Sequence, residues 1–488
     1  MNELILFSYF ISLSILLIYG LHGFHMVYLY KKFKKNEPKH DPNFKPSKRV
    51  TIQLPLYNEV YVVERLINAI CSLDYPKELI DIQVLDDSTD ETVEVAKKIV
   101  EQKRLEGFDI THVRRGSREG FKAGALKYGL NFAKGEFIAI FDADFVPPPD
   151  FLKKTLSYFS DEKIGLVQTR WGHINDDYSL LTKTQAFALD GHFVIEQYAR
   201  HLGGYFITFN GTGGVWRKEC IIDAGNWNGD TLAEDLDLSY RAQLKGWKFV
   251  YLKDYITPAE LPIEMSAFKS QQFRWTKGHI ENAKKLLPLL WKSKLPFSVK
   301  FQGTIHLTSN FVFPFILLAA ILNVPLIFIK NSGPYDIFFN YMAIFIVSFF
   351  STFLFYFYAQ KEGYSDWRKR IVLFPLFLAG SMGMALNNSR AVIEAVLNRK
   401  SEFVRTPKYK VTNSNSDSFR SIVYDKYLNK KIDSTAMVEM ILALYCFIGV
   451  LASLYFMELA ALPFQLLFFS GFLMVSYFSI KNSFLKKR

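Results

Sequence analysis

Two aspartates one residue apart, Asp142-Ala143-Asp144, follow directly on the apolar run Phe137–Phe141. Carboxylates this close repel unless a cation lies between them, and hard divalent cations prefer oxygen ligands. Mg²⁺ takes one or two carboxylates and completes its shell with substrate phosphates. The pair therefore suits Mg²⁺ or Mn²⁺ on a nucleotide diphosphate, whose departure the metal assists as charge builds on it. Taken singly, a D-x-D also fits a solvated turn. Asp86-Asp87-Ser88 follows Ile82–Leu85 and has two compatible readings, a cap for the next helix and a carboxylate contact to a base or ribose. Asp235, in Glu234-Asp235-Leu236-Asp237, suits a general base that takes the proton of an attacking sugar hydroxyl. The same stretch also reads as the acidic face of a surface helix. A carboxylate holding a metal is electrically committed, so base and metal ligand are expected to be different residues. Lys122 lies in Gly120-Phe121-Lys122-Ala123-Gly124 at the entry to a helix, a position that favours phosphate. Arg274 can clamp the same diphosphate with its planar fork, and Trp275 offers a flat face to a sugar ring. A solvated lysine and a buried aromatic beside a surface arginine are the plainer readings of these last residues.

The elements that must position them alternate. Val50–Leu56, Ile82–Leu85 and Phe137–Phe141 read as strands, and Tyr61–Ser72 and Glu91–Leu105 as helices. Strand–helix alternation predicts an α/β domain with a largely parallel sheet. In open α/β sheets ligands bind beyond the carboxyl ends of the strands, where these acidic residues fall.

The remainder of the chain is of another kind. The 488 residues are 50% hydrophobic and 16% aromatic, with 22% charged, which excludes a disordered chain. Three scattered cysteines form no C-x-x-C pair and exclude a disulfide framework and a cysteine zinc site. The net charge of +12 is consistent with a nucleic-acid partner. It is read instead as lysine and arginine flanking membrane spans, with no nucleic acid involved. Leu4–Tyr30 carries no charged residue and is followed by Lys31, Lys32, Lys34 and Lys35, the pattern of a retained anchor whose following chain is cytosolic. Ile305–Ile329, Ile337–Ala359, Met440–Met457 and Leu459–Ile480 complete five expected spans. Ile371–Leu386 is short and basic on both flanks, so an interfacial or re-entrant segment is expected there, a sixth crossing being the alternative. The expected organisation is an anchor over 1–30, a basic linker over 31–49 and a catalytic α/β domain over 50–300. Two spans over 301–360, an interfacial segment over 361–400, a cytosolic loop over 401–434 and a hairpin of spans over 435–488 follow. The bilayer is thus an expected partner, and a bacterial inner membrane is preferred because the chain is compact.

The order and spacing of these clusters resemble the processive family 2 glycosyltransferases, the cellulose, chitin, hyaluronan and mannan synthases. Their signature is D, DxD, D and Q-[QR]-x-R-W, and here 35 residues separate Asp235 from Gln271 of QQFRW. The stretches QLPLYNE, IQVLDDSTDET, FKAGALK, IAIFDADFVP, VQTRW, FNGTGGVWR and EDLDLSYRAQLKGWKFVY are most similar to plant cellulose-synthase-like A and C proteins and bacterial relatives. The resemblance implies a GT-A, Rossmann-like domain set between transmembrane helices. It implies that Tyr57, Glu59 and Asp86 or Asp87 hold the nucleoside, and that Lys122, Gln271 and Arg274 contact the diphosphate. It implies that Asp144 and Asp142 take the metal and donor and that Asp235 is the base. Asn210, Gly211, Thr212 and Trp275 are then expected at the acceptor. Phe403, Thr406 and Lys408 match a gating loop written F-x-V-T-x-K, with Arg405 in place of the valine. Ala233 stands where the family often has threonine, and the carboxylate after it is kept.

The activity so implied is polymerisation of a hexose from UDP-glucose or GDP-mannose into a β-1,4-linked glycan, with inversion and translocation of the product. The partners are a UDP- or GDP-hexose donor and the growing glycan; accessory export proteins are not legible. Two other readings are carried beside it. One is a non-processive enzyme that glycosylates a lipid, since ceramide glucosyltransferases carry a related motif set. The other is a scaffold that kept the domain without activity. Motifs do not choose between glucose and mannose.

Overall fold

The computed structural model describes residues 1–36, 38–401, 404–413 and 434–484. Seven strands form one sheet: β1 (Val50–Leu56), β2 (Ile80–Asp86), β3 (Ile110–Val113), β4 (Phe137–Ile140), β5 (Ile164–His173), β6 (Gly214–Arg217) and β7 (Lys248–Ala259). Their order is β3-β2-β1-β4-β6-β5-β7. β1 runs parallel to β2 and β4, and β2 parallel to β3. β5 and β7 are also parallel, while β6 is antiparallel to both its neighbours. The largely parallel sheet expected from the alternation is found with one reversed strand, β6, set between β4 and β5.

β1 and β2 are buried along nearly their whole length, as central parallel strands covered on both faces must be. Their internal polar residues are paired across the register: Thr51 donates to Asp81 at 2.9 Å and the Gln53 amide to Gln83 at 3.0 Å. The alternate positions are filled by Ile52, Leu54, Ile82 and Val84, which pack with Val63, Leu66 and Ile70 on one face. The other face packs Ile138, Ile140 and Trp216 against Trp227 and Leu238. Register places Leu56 opposite Asp86 and Gln53 opposite Ile140. The carboxyl ends of β1, β2 and β4 therefore open at one edge, with Tyr57, Asp87 and Asp142 beyond them.

Among the described residues five helices are long and apolar enough to cross a membrane: Asn2–Phe33, Phe297–Ser332, Asp336–Gly363, Ser434–Tyr455 and Leu462–Lys481. The second begins eight residues before the expected Ile305, because the chain enters it at Pro296 through the helix Phe297–Thr308 and a single turn Ser309–Phe311. The segment expected to be interfacial is a bent pair, Trp367–Gly383 and Ala385–Val396, meeting at 44°. The helix that carries QQFRW, Met265–Lys292, is tied into the helical part by a buried ion pair of 2.9 Å between Lys269 and Glu439.

Candidate active site

A cavity of about 240 Å³ lies beyond the carboxyl ends of β1, β2 and β4. Tyr57, Glu59, Asp87, Lys122, Asp142, Asp144, Asn210, Gly211, Asp235, Gln271, Arg274, Trp275, Thr406 and Lys408 all line it. These residues span more than three hundred positions of sequence, and strand ends, three helices and the loops around them bring them to one cavity.

Lys122 is presented by the helix Phe121–Leu130, which the chain enters through a left-handed turn at Gly120 (φ 68°) and Phe121 (φ 49°). Its Nζ donates to Asp142 Oδ1 at 2.5 Å and to the Gly211 carbonyl at 2.9 Å. Burial opposes the lysine's charge, but Asp142, Glu234 and Asp235 together raise its pKa above the ordinary value. Burial raises Asp142 against the pull of Lys122. Asp144 is held instead by Lys408, at 2.5 Å from Oδ2, and Lys408 also donates to the Glu260 carbonyl.

Asp235 is the second residue of the helix Glu234–Leu244. Burial, followed by the charge of Glu234, pushes its carboxyl up to about 7, while the Leu236 N–H pulls the other way. Its own Oδ1 accepts from that N–H at 2.8 Å. Gly211 (φ +81°) packs against this carboxylate: a Cβ there would stand 3.2 Å from Asp235 Oδ2 and 3.4 Å from Lys122 Nζ. Glycine thus serves both the backbone angle and the close approach. An aspartate near 7 exchanges its proton within the neutral range, as a base for a sugar hydroxyl requires.

The QQFRW helix supplies Gln271, Arg274 and Trp275. Burial lowers Arg274 to about 10, and its Nη2 donates to Thr406 at 2.9 Å. Next to Thr406 in the same loop, Arg405 grips Glu59 with Nη2 at 2.8 Å and Nε at 3.2 Å. Burial pushes Glu59 up to about 7 despite that pair. At the other end, Asp87 is clamped by Arg115 through Nε at 2.8 Å and Nη2 at 2.5 Å. The Arg118 guanidinium lies over the Tyr57 ring, 3.3 Å from its centroid.

Three sequence-expected residues sit elsewhere. Asp86 is buried outside the cavity, its carboxylate taken by His112 at 2.8 Å and the Ser88 N–H at 2.9 Å; of the two aspartates, Asp87 faces the cavity. Neither caps the next helix, which begins at Thr92, four residues after Ser88. Thr212 is buried behind the wall, where its hydroxyl accepts from the Asp142 N–H at 2.9 Å, so it fixes the D-x-D turn and does not face an acceptor. Phe403 lies outside the described residues. The cavity also holds residues to which the sequence reading gave no role: Arg118, Trp171, Glu234 and Glu260. Trp171 had a visible signal, since it stands in VQTRW; Glu260 follows β7 with no motif to mark it.

Among the described residues no three His, Cys, Asp or Glu side chains are grouped as a preformed metal cage. The donor set fits Mg²⁺ or Mn²⁺ in the other mode, in which one or two carboxylates share the ion with substrate phosphates. Asp142 and Asp144, each already drawing a lysine ammonium, are the oxygens that would hold it.

Residues 46–278 match the family model described as glycosyltransferase like family 2. The chain is 42% identical over 267 residues to glucomannan 4-beta-mannosyltransferase 1 of Oryza sativa subsp. japonica, covering 54% of this chain and 51% of that one. It is 40% identical over 287 residues to glucomannan 4-beta-mannosyltransferase 2 of Arabidopsis thaliana, covering 57% and 53%. The chain thus spans about half the length of the curated relatives it matches. Among solved structures, a mannosyltransferase from Pyrobaculum calidifontis in complex with GDP-Man and Mn²⁺ superposes with a TM-score of 0.54 at 17% identity, over 82% of this chain and 100% of that one. That likeness bears on the fold.

Proposed function

From a chain whose residues 46–278 match the model of glycosyltransferase like family 2 on a GT-A fold, we propose a membrane-embedded, inverting β-1,4-mannosyltransferase that extends a glycan from GDP-mannose. The observation that carries it is the meeting of Asp235, the Lys122–Asp142 pair and Arg274 on one cavity wall. Mannose is favoured over glucose by the names of the relatives, which are 42% identical over 267 residues and 40% identical over 287. The glycolipid alternative draws no support from them.

In this reading Asp235 takes the proton of the acceptor O4 as that oxygen attacks the anomeric carbon. The bond to the diphosphate breaks on the opposite face, so an α-linked donor gives a β-glycoside. Lys122 and Arg274 are placed to meet the charge that accumulates on the leaving diphosphate, in a cavity where burial strengthens each contact. A bound Mg²⁺ or Mn²⁺ supplies further stabilisation of that charge. Gln271 joins them at the diphosphate, Trp275 orients the acceptor end, and Tyr57, Glu59 and Asp87 the nucleoside. The loop with Thr406 and Lys408 closes the donor side. The catalytic domain is assigned to the cytosolic face, where sugar nucleotides are made, and the apolar helices to product passage.

The test is turnover by the protein in proteoliposomes with Mg²⁺ or Mn²⁺, supplying radiolabelled GDP-mannose and UDP-glucose separately. Polymer made from GDP-mannose and digested by a β-1,4-mannanase is the expected result. Polymer from UDP-glucose alone reassigns the donor, and label confined to a lipid extract overturns the polymerase.

A further inference from the structure

Behind Asn210 lies a polar cluster that no motif marked. The helix that follows β5 is interrupted at Gly191–Glu196 by a π-helical stretch, the one-residue irregularity that recurs at functional sites. It turns His192 and Glu196 to the same side. His192 Nδ1 stands 3.0 Å from Glu196 Oε2, and its Nε2 3.2 Å from Asn210 Oδ1. Glu196 is further held by Arg200 Nε at 3.0 Å, and Arg200 is fully buried.

The orientation of the Asn210 amide is fixed by its surroundings. Gln197 Nε2 donates to the Thr208 carbonyl at 2.8 Å, and Gln197 Oε1 accepts from the Thr208 N–H at 3.3 Å. The Gln197 amide is therefore set by backbone, and its NH₂ is the group turned toward Asn210, at 3.3 Å from Oδ1. Asn210 must present oxygen on that side, so His192 Nε2 meets oxygen too and is the donor in that contact. The consequence falls on the far end of the amide. Asn210 Nδ2 is buried with no hydrogen-bond partner among the described residues, although Asn210 lines the cavity next to Gly211 and Asp235. An orphaned buried donor costs free energy unless something arrives to accept it.

We infer that His192 is a positioning residue for the acceptor sugar: anchored by Glu196 and Arg200, it locks Asn210 so that Nδ2 donates to an oxygen of the acceptor's terminal hexose. This rests on the glycosyltransferase reading and adds to it a residue that touches neither donor nor acceptor. The ring is also braced by packing, lying edge-on to Phe193 at 4.9 Å, with Phe193 stacked on the cavity residue Trp171 at 5.0 Å.

The experiment is a steady-state comparison of wild type, His192→Phe and His192→Gln. Short β-1,4-linked manno-oligosaccharides serve as acceptors, and donor hydrolysis without acceptor is measured in parallel. His192→Phe keeps the packing and removes the N–H that reaches Asn210. Its acceptor KM is expected to rise about tenfold, the effect of one misplaced hydrogen bond to ligand, while donor KM and donor hydrolysis stay at wild-type values. His192→Gln, which retains an N–H able to reach Asn210, is expected to recover part of the loss. If His192→Phe does not fold, the Gln variant and Asn210→Asp carry the test, the latter replacing the donating Nδ2 by oxygen. An unchanged acceptor KM, or equal rises in the KM of donor and acceptor, overturns the inference. Wild-type protein that turns over no sugar nucleotide overturns the reading beneath it instead.

Discussion

Lys408 sits on the carboxylate of Asp144, with Nζ 2.5 Å from Oδ2. If Asp144 holds the divalent ion, as proposed above, metal and lysine must compete for the same oxygen until donor phosphates arrive. Lys408→Ala is expected to bind Mn²⁺ about tenfold more tightly in the absence of donor, equivalent to about 1.4 kcal/mol. Titration calorimetry measures this directly. An unchanged Mn²⁺ affinity would mean that Asp144 is not a ligand. Removal of divalent ions with a chelator should abolish transfer in both proteins.

The carboxyl of Asp235, pushed up to about 7, makes a signed prediction for pH. A base must be ionised to act, and a carboxylic acid is ionised above its pKa. Turnover should rise as pH increases through about 7 and level off above it. Asp235→Asn should lower turnover by roughly 10²–10⁴-fold and remove that limb, while nucleoside diphosphate binding survives. A variant that keeps the wild-type profile would assign the base elsewhere.

Arg405 and Glu59 form a two-pronged ion pair between the loop and the end of β1. Glu59 keeps a raised pKa even with this partner, so stripping the partner leaves a carboxyl that holds its proton still more readily. A cycle of Arg405→Ala, Glu59→Gln and the double variant, read on donor KM, should show a coupling of at least about 1 kcal/mol. Strict additivity would show that the pair is not made during turnover.

Among the apolar helices, Phe374–Gly383 and Leu462–Phe484 meet backbone to backbone. A Cβ on Gly383 would collide with the Gly471 carbonyl oxygen, and one on Gly471 with that of Ala379. Small residues allow this approach between helices in lipid. Gly383→Val and Gly471→Val should each cost about 1–3 kcal/mol, seen as a lower melting temperature in detergent. A variant as stable as wild type would place the two helices apart.

Much of this site was legible because its chemistry is carried by short local signals. Asp142 and Asp144 follow an obvious strand, and Gln271–Trp275 is a contiguous motif, so type and spacing sufficed to bring them to one cavity. Asp86 and Asp87 show the limit: adjacent residues at a strand end alternate in direction, and only the neighbours His112 and Arg115 decide which of the two turns inward. Thr212 belongs to a matched motif yet braces Asp142 from behind. Arg405 departs from the family pattern, and its partner Glu59 lies 346 positions away, a relation no window of sequence contains. The early start of the second apolar helix is hidden from a hydropathy reading because residues from Phe297 mix lysine and glutamine with aromatics.

The loop bearing Arg405 and Lys408 is also moored outside the cavity. Asn413 donates to Asp176 at 3.1 Å, and on the other side Lys277 donates to the Arg399 carbonyl and the Ser401 hydroxyl. A side chain tethered this way meets its carboxylate at an effective concentration set by the span of chain and not by the solution, of roughly millimolar order for short flexible connections. In the function proposed above, the availability of Asp144 is then governed by the donor and its accompanying ion together, so that the resting site answers to substrate supply.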